Sequence, residues 1–472
     1  METNQKPRIK LNLEWVSNLV GEEYKQWRDG DVIIIESQTG TGKTHFMQNI
    51  LIPNIISDAK RLLFVCNRIN LKQQIKKDLL KAHDLEIPKS IDELDDITTV
   101  EGTTITSYQA LEESILNHEY YENEIGTYDH SASYDYIVLD ECHYILADSS
   151  FNNTTRLTFE KLIQTYHVHA VKIFMTATAN EIEEPIRQYM KDRTLVIAGQ
   201  PFIGEHRLKS YSTGLDYSYV NVMYFKCIRD IITTIQNDTS DDKWLVFVSN
   251  IEKEGKILAT ALVEDAVLIT RGTGQNNLNN PELSSIVNHS KFTKKVLITT
   301  KYLDNGINIK DERVKNVVII AWNQIDFIQM LGRRRVNIEN ADTVNLYIHM
   351  RDSRSFRTLL NIYNDKIEKL RLCRENPNEF GRKYDNDLKS IAELNELFYR
   401  DRDAGKWTVN PIGEWRVRED KRFVEDMIQQ FHDEDRFAFV RKQLSWIGLE
   451  ETFDQNRLLI RIKTNEEKAE LA

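Results

Sequence analysis

Cysteine is scarce in this sequence, and long apolar runs are lacking. The cysteines number four in 472 residues, with no C-x-x-C pair and no His/Cys cluster at metal-ligand spacing. This pattern argues against a disulfide framework and against a zinc site. No segment approaches the roughly 18 apolar residues of a membrane span, and the first residues carry no apolar targeting core. We therefore expect a soluble, cytoplasmic protein without a membrane partner.

Net positive charge is lacking as well. The formal net charge is −11, which argues against a chain that coats nucleic acid by bulk attraction. A local basic track on an acidic body is still compatible with this value, so partners have to be inferred from individual sites. The apolar content of 41% is ample for packed cores, and the length corresponds to about two to four domains.

A phosphate-binding loop is predicted for residues 37–44, with the sequence SQTGTGKT, directly after the apolar run Val32–Ile35. In such a loop, small residues let backbone N–H groups point into one concavity, and the following helix adds its partial positive charge. Lys43 is expected to reach the outer phosphates, and Thr44 to hold Mg²⁺ through its hydroxyl. Ser37 occupies the position of the usual leading glycine. We predict a nucleotide site formed by Thr39, Gly40, Thr41, Gly42, Lys43 and Thr44.

Two consecutive carboxylates follow a later apolar run. Asp140 and Glu141 come directly after Tyr136–Leu139. The carboxyl ends of parallel strands meet at the functional edge of an α/β sheet, where a phosphate loop also lies. Asp140 is expected to bind Mg²⁺, and Glu141 to orient or deprotonate the attacking water. Together with Lys43, this pair predicts a site that hydrolyses a nucleotide.

Further apolar runs fall into two groups separated by helical stretches. Continuous apolar runs of this kind indicate parallel sheets that are covered on both faces. We predict two α/β domains in tandem, with Gly199–Gly204 as the linker because it combines two glycines and a proline. The runs span residues 61–66, 103–109, 136–139, 172–178 and 194–198, then 244–249, 266–270, 295–300, 315–321 and 344–348.

The tail after about residue 351 carries apolar residues at helical spacing and matches no motif. Trp407, Trp415 and Trp446 either stack on bases or pack in a core, and packing is the favoured interpretation because large aromatic side chains are usually buried. The tail either sets substrate choice or binds a protein partner.

With these motifs in view, the chain resembles the DExH-box members of helicase superfamily 2 over roughly residues 30–350. The loop at 37–44 looks like that family's first motif, where Ser or Ala commonly replaces the leading glycine. DECH at 140–143 looks like the second motif, and TAT at 176–178 like the third. The resemblance implies ATP and Mg²⁺ as cofactors. It also implies two tandem RecA-like parallel-sheet domains at residues 1–200 and 205–350, and a mainly helical accessory region at 351–472.

Three further segments are similar to family motifs that contact nucleic acid. Residues 67–73 are similar to motif Ia, residues 106–109 to motif Ib, and residues 247–250 to motif IV. The resemblance implies contacts with a nucleic-acid backbone, which we assign to Asn67, Arg68, Thr106, Gln109, Ser249, Thr270 and Thr300.

Residues 300–308 look like motif V. The resemblance implies that Gly306 and Asn308 contribute to the nucleotide site. Asn308 stands where an aspartate is frequent, and it still permits a hydrogen bond to a ribose hydroxyl.

Motif VI is matched by Gln329 and the arginines that follow it. The resemblance implies that Gln329 and Arg333 take part in catalysis. The family's second arginine falls at Val336, so Arg334 or Arg335 must take its part, and Arg335 is preferred. For Arg334 the alternative is a basic helix face that is solvated or binds a phosphate backbone.

The resemblance also implies a mechanism. An arginine such as Arg333, delivered across an interdomain cleft, stabilises charge on the γ-phosphoryl group only when the domains close. Hydrolysis is thereby converted into movement along nucleic acid. Thr176 and Thr178 are expected to relay between Glu141 and the cleft, and His143 to form a hydrogen bond across it.

The substrate and the mode of action stay open. Only 22 residues separate Gly306 from Gln329. This leaves no room for the β-hairpin of DEAH splicing-type RNA helicases and favours DNA over RNA. The first hypothesis is an ATP-dependent DNA helicase or translocase. The alternatives are an RNA helicase and an ATP-gated clamp that holds nucleic acid or a partner protein without separating strands.

Overall fold

The computed structural model describes residues 8–67, 69–121, 133–150, 152–191, 193–197, 200–270, 281–301, 308–385, 394, 397–401 and 405–459. These residues form two compact units, and each unit combines segments that are distant in sequence. The phosphate-loop unit comprises Glu14–Gly214 and Phe356–Asp426. The arginine unit comprises the residues up to Leu13, Leu215–Ser355 and the residues from Met427 onward.

The phosphate-loop unit is built on a seven-stranded sheet in the order β3-β4-β2-β5-β6-β1-β9. Every neighbouring pair is parallel except β3 and β4. The predicted parallel α/β sheet is therefore confirmed. The strands are β1 Val32–Glu36, β2 Leu62–Cys66, β3 Thr99–Val100, β4 Thr103–Ser107, β5 Tyr136–Asp140, β6 Val171–Thr176 and β9 Leu208–Ser212, and a separate hairpin is formed by β7 Thr194–Ile197 and β8 Gln200–Ile203.

The central strands of this sheet are buried at nearly every position, as their continuous apolar runs require. Two hydrophobic clusters lie on the opposite faces of the sheet, because alternate residues of each strand point to opposite sides. The covering helical segments are Val16–Val20, Lys43–Phe46, Met47–Leu51, Ile52–Ser57, Ile69–Ala82, Ile91–Asp96, Tyr108–Tyr121, Tyr144–Ala147, Thr155–Leu157, Thr158–Thr165 and Ala179–Lys191.

Residues 200–203 of the segment predicted as a linker form strand β8, which pairs antiparallel with β7 in a hairpin. Gly199 lies outside the described residues. Gly204 follows the hairpin, and a Cβ atom added there would lie 2.5 Å from the carbonyl oxygen of Met190. This glycine therefore permits close packing against the end of a helix and does not mark a flexible connection. The linker prediction was wrong, and the boundary between the units falls after Gly214.

The arginine unit is built on a six-stranded, fully parallel sheet in the order β10-β15-β14-β11-β13-β12. Near the N-terminus, Ile9 pairs with Ala341 and Leu11 donates to the carbonyl of Ile338, so this segment packs on the arginine unit. The strands are β10 Val220–Phe225, β11 Lys243–Phe247, β12 Ala266–Ile269, β13 Val296–Thr299, β14 Val314–Ile319 and β15 Val344–His349. The helical segments are Ile228–Gln236, Ile251–Gly255, Lys256–Ala261, Pro281–His289, Gln324–Gly332 and Ala438–Ser445.

The C-terminal region is mainly helical, as predicted, with the helices Ser353–Glu375, Pro377–Tyr384 and Pro411–Asp433. A hairpin of β16 Phe398–Asp401 and β17 Lys406–Val409 was not predicted. Trp446 is buried and packs edge-on against Phe327 and Phe439, which confirms packing for this tryptophan. No helix in the part of the chain that the structure describes is long and apolar enough to cross a membrane.

A buried ion pair attaches the C-terminal helix Pro411–Asp433 to the helix Ala179–Lys191 within the phosphate-loop unit. Arg416 pairs with Glu181, and its Nη2 lies 2.8 Å from a carboxylate oxygen of Asp420. Burial alone would lower the pKa of Arg416, but the charges of Glu181 and Asp420 outweigh burial and raise it. The guanidinium is therefore held in its charged form.

Replacing Arg416 with Met should destabilise the phosphate-loop unit by about 3 kcal/mol, because two carboxylates would lose their cation. Urea unfolding measures this loss. Arg418→Met is the matched control, since Arg418 lies on the same helix, is half exposed and pairs with Glu414. The control should cost less than about 1 kcal/mol, and equal losses in the two variants would contradict the assignment.

A buried carboxyl group lies on the helix Tyr108–Tyr121. Glu112 is 2% exposed and accepts hydrogen bonds from the hydroxyls of Thr154, at 2.7 Å, and Thr158, at 3.1 Å. Burial raises the pKa of Glu112 to about 7. The charge of Asp148 also raises this pKa, whereas the hydrogen bonds from the two threonine hydroxyls lower it. The folded protein therefore binds a proton at Glu112 more tightly than the unfolded chain does.

This shift predicts a pH dependence of stability. Between the ordinary value of 4.5 and about 7, Glu112 is protonated in the folded state and ionised in the unfolded state, so stability falls as the pH rises through this window. Glu112→Gln should remove this slope, and the exposed Glu113→Gln should keep it. Urea unfolding across this pH range tests the prediction, and an unchanged slope in Glu112→Gln would refute it.

Candidate nucleotide-hydrolysis site

Strand β6 brings the phosphate loop and the carboxylate pair together. It lies between β1, which leads into the loop, and β5, which leads into the carboxylates. Where these strands end, the N–H of Ser37 donates to the carbonyl of Thr176 at 2.9 Å, and the N–H of Cys142 donates to the carbonyl of Met175 at 3.1 Å. Both predicted motifs therefore lie at the same edge of one sheet.

Two glycines give the phosphate loop its shape. Gly40 has φ of 99° and Gly42 has φ of 89°, in the left-handed region where a side chain is disfavoured. Gly42 precedes the helix that begins at Lys43, and a Cβ atom added there would lie 3.1 Å from the ring of Trp15. Lys43 Nζ donates to the carbonyl of Ser37 at 3.4 Å. Lys43 therefore contacts the loop that was predicted to bind the phosphates.

Residues outside any recognisable motif support the loop. The hydroxyl of Thr213 accepts a hydrogen bond from the N–H of Gln38 at 3.1 Å. The N–H of Val16 donates to the carbonyl of Thr41 at 2.9 Å. Thr213 is distant from the loop in sequence. Trp15 and Val16 lie before the first strand and outside the sequence pattern of the loop. Sequence reasoning therefore missed them, because only the folded chain places them there.

The carboxylates connect to a chain of polar groups. Asp140, Glu141 and His143 are 5%, 6% and 8% exposed. Glu141 Oε2 lies 3.5 Å from His143 Nδ1, which lies 3.2 Å from the hydroxyl oxygen of Thr176. The hydroxyl oxygens of Thr176 and Thr178 are 3.4 Å apart. The structure therefore brings Glu141 together with all three residues predicted to couple it to the rest of the protein.

The backbone at Glu141 is strained. Its φ is 50°, a left-handed conformation that costs a non-glycine residue roughly 1–2 kcal/mol. Hydrogen bonds on either side hold this conformation, since Tyr108 donates its hydroxyl to the Asp140 carbonyl at 3.1 Å and the Tyr144 N–H donates to the Glu141 carbonyl at 3.0 Å. Strain of this kind concentrates at functional sites. Tyr108 was not predicted to belong to the site.

The residues predicted to contact nucleic acid in this unit have different surroundings. The side-chain amide of Gln109 donates to Asn67 Oδ1 at 3.2 Å, so the structure brings these two together at an exposed position. Thr106 is only 1% exposed. Arg68 lies outside the described residues.

In the arginine unit, the residues of the predicted motifs V and VI are in contact. Arg333 Nη2 donates to Gln329 Oε1 at 2.9 Å, and both side chains are buried. Arg335 Nε donates to Asn308 Oδ1 at 2.8 Å. Backbone hydrogen bonds join Ile309 to Arg333 and Arg335, at 2.8 Å and 2.9 Å. Gly306 of motif V lies outside the described residues.

Arg334 differs from its neighbours because it is buried in an ion pair. Its side chain is 3% exposed, and Nη2 lies 2.8 Å from a carboxylate oxygen of Asp342. Nε donates to the carbonyl of Val314 at 2.9 Å. The alternative of a solvated basic face is therefore wrong for Arg334.

The other predicted contacts stand at the carboxyl ends of the neighbouring strands β11, β13 and β12. Ser249 donates its N–H to the carboxylate of Glu254 at 2.8 Å, and its hydroxyl to the same group. Thr270 is buried, and Thr300 is half-buried. These residues share one sheet edge, and their contact with nucleic acid stays a prediction.

Comparison with known proteins places these features in context. Residues 9–181 match the family described as Type III restriction enzyme, res subunit. No curated protein sequence matches the chain. Among solved structures, Dbp5 of S. cerevisiae bound to RNA and ADP BeF3 is 16% identical, with 71% of this chain and 83% of that chain covered and a TM-score of 0.46. A DEAD box protein from the hyperthermophile Methanococcus jannaschii is 16% identical, with coverages of 74% and 89% and a TM-score of 0.36.

The family match spans both the phosphate loop and the carboxylate pair. The matched region and the parallel sheet that carries it indicate an ATP-hydrolysing helicase.

Gly42→Ala should weaken nucleotide binding by about tenfold or more, because the left-handed backbone would be strained by roughly 1–2 kcal/mol. The new methyl group would also press on Trp15. Titration with a fluorescent ATP analogue measures the effect. Gly448→Ala is the control, since its φ is 67° but its Cβ would meet nothing within 4 Å. Equal binding by wild type and Gly42→Ala would show that this loop does not hold the nucleotide.

Proposed function

We propose that this protein is a DExH-type ATP-dependent translocase or helicase that acts on DNA in preference to RNA, with ATP and Mg²⁺ as cofactors. The observation that carries the proposal is the chain of polar groups from Glu141 through His143 to Thr176, because Thr176 lies on the strand that also bonds the phosphate loop. A movement of the Glu141 carboxylate would therefore be transmitted to the strand that also bonds the phosphate loop.

The residues of the phosphate-loop unit have distinct roles in this proposal. Lys43 binds the outer phosphates, and Thr44 with Asp140 holds Mg²⁺, whose preferred ligands are oxygens of this kind. When bound, the ion neutralises charge on the phosphates. Glu141 orients the attacking water and accepts its proton. His143, at 3.5 Å from the Glu141 carboxylate, fixes the position of that carboxylate.

In the arginine unit we assign Arg333 the role of stabilising charge on the transferring γ-phosphoryl group. The hydrogen bond from Arg333 to Gln329 supports this assignment because it fixes the guanidinium. Arg335 is assigned the part of the second arginine. The ion pair between Arg334 and Asp342 supports this choice, since it engages the competing arginine elsewhere.

A DNA substrate is supported by two observations. Residues 308–329 contain one strand, Val314–Ile319, followed by the start of the helix Gln324–Gly332, and no hairpin lies within that described segment. The description of the matching family names a restriction enzyme. We propose that Asn67 and Gln109 contact the DNA backbone from one unit, and Ser249 and Thr300 from the other. A protein partner for the C-terminal region stays part of the proposal.

ATP turnover by the full chain tests the proposed function. Single-stranded DNA should raise the rate more than single-stranded RNA of the same sequence and length. Lys43→Ala should abolish turnover. Glu141→Gln should lower it by about 10²-fold or more while ATP still binds, because only the general base is lost. The exposed Glu113→Gln is the control and should leave turnover unchanged.

Strand displacement measured beside ATP turnover separates unwinding from holding. Displacement of one strand of a forked duplex identifies a helicase. Nucleic-acid-stimulated hydrolysis without displacement on any duplex identifies a translocase or an ATP-gated clamp. Hydrolysis that no nucleic acid stimulates would overturn the proposed function.

A further inference from the structure

A cleft of about 610 Å³ lies in the phosphate-loop unit, away from every motif that the proposed function uses. Its walls are the helical segment Thr158–Thr165, the helix Ala179–Lys191 and the first turn of the helix Pro411–Asp433. The aromatic lining residues are Phe159, Tyr189 and Trp415. A cleft of this volume with aromatic walls is of the kind that holds a small ligand.

The polar lining of the cleft includes one cation. Arg193 lines it and lies 5.2 Å from the centre of the Tyr189 ring. Lys172 lies close enough to Arg193 for the arginine's charge to influence it, and its Nζ donates to the carbonyl of His167 at 3.2 Å. Arg193 Nη2 donates to the carbonyl of Val168 at 3.0 Å. Both cations are thus bound to neutral carbonyls.

No carboxylate within the described ranges forms an ion pair with Lys172 or Arg193. Burial, together with the nearby charge of Arg193, lowers the pKa of Lys172 to about 7. Glu184 also lines the cleft, but its side chain is exposed, so solvent screens its charge. The guanidinium of Arg193 therefore lines the cleft without an ion-pair partner among the described residues.

Two other buried cations of this protein are paired with carboxylates. Arg416 pairs with Glu181 and Asp420, and Lys243 Nζ lies 2.8 Å from a carboxylate oxygen of Asp311. Buried charges are costly unless they are paired. Arg193 is half-buried and has no carboxylate partner among the described residues, so its guanidinium is available to an anion from outside the chain.

The cleft is separate from the nucleotide site. Lys172 lies near the start of β6, whereas the phosphate loop and the carboxylates meet at its end, beside Thr176. At about 3.3 Å per residue, the two positions are roughly 13 Å apart along the strand. A ligand in the cleft and a nucleotide on the loop would therefore occupy opposite edges of the sheet.

We propose that this cleft binds a small ligand consisting of a planar ring and an anionic group, with the ring against Tyr189 and Trp415 and the anion on Arg193. A nucleoside monophosphate and an aromatic carboxylate share this chemistry. Aromatic walls favour stacking of a planar ring, and a guanidinium provides paired N–H donors for a phosphate or a carboxylate.

Calorimetric titration of the full chain tests the proposal with four probes: 5′-AMP, indole-3-acetate, adenosine and inorganic phosphate. At least one of the first two should bind, and the ring alone or the anion alone should bind at least about tenfold more weakly. The two ring-bearing anions distinguish a nucleotide ligand from an aromatic acid. A saturating non-hydrolysable ATP analogue occupies the phosphate loop and should leave the binding in place. Competition by that analogue would assign the binding to the loop and overturn the proposal.

Variants of the cleft complete the test. Arg193→Gln and Trp415→Ala should each weaken binding by about tenfold, since each removes one half of the recognition. Arg187→Gln is the matched control, because Arg187 lies on the helix that precedes Arg193 but pairs with Glu183 and does not line the cleft. Thermal unfolding checks that each variant is folded, and Trp415→Ala carries the test if Arg193→Gln is not. The proposal would be refuted if neither ring-bearing anion binds, or if Arg187→Gln loses as much binding affinity as Arg193→Gln. Both outcomes are independent of the ATPase measurements.

Discussion

The backbone hydrogen bonds at the end of β6 are the constraint on which the site depends. Through the carbonyls of Met175 and Thr176, this one strand fixes both the turn that carries the carboxylates and the loop that begins at Ser37. A register shift of one residue would turn every side chain of β6 to the opposite face and move Thr176 away from His143. The burial of all six residues of the strand makes such a shift costly, so the core of the sheet sets the geometry of the site.

The same strand end also connects the site to the C-terminal region. The helix Ala179–Lys191 begins directly after Thr178, and its first N–H donates to the carboxylate of Glu36 at 3.3 Å. Glu181, in the first turn, pairs with Arg416 on the helix Pro411–Asp433. A displacement at Thr178 would therefore have to move a helix that is held at both of these contacts. Coupling through a rigid helix is the physical form in which a local change at a hydrolytic site reaches a distant segment.

Local patterns were enough to predict the parallel sheets, the phosphate loop and the carboxylate pair, because strand burial and glycine conformation depend mainly on neighbouring residues. The hairpin that replaced the predicted linker could not be predicted in this way, since Gly204 is required by contact with Met190 and not by flexibility. Trp15 and Thr213 were missed for the same reason. Their roles come from tertiary neighbours, and neither residue type indicates nucleotide binding by itself.

Charge placement shows the same dependence on tertiary structure. The chain has 73 Asp and Glu residues against 62 Lys and Arg residues, so carboxylates are abundant. They reach Arg416 and Arg334 in the folded protein, and both arginines are buried in ion pairs. The described residues bring no such carboxylate to Lys172 or Arg193. The lack of an ion-pair partner at Arg193 within the described part of the chain is therefore a property of how the chain folds and not of its composition. The net charge alone would not have predicted an anion site in this acidic protein.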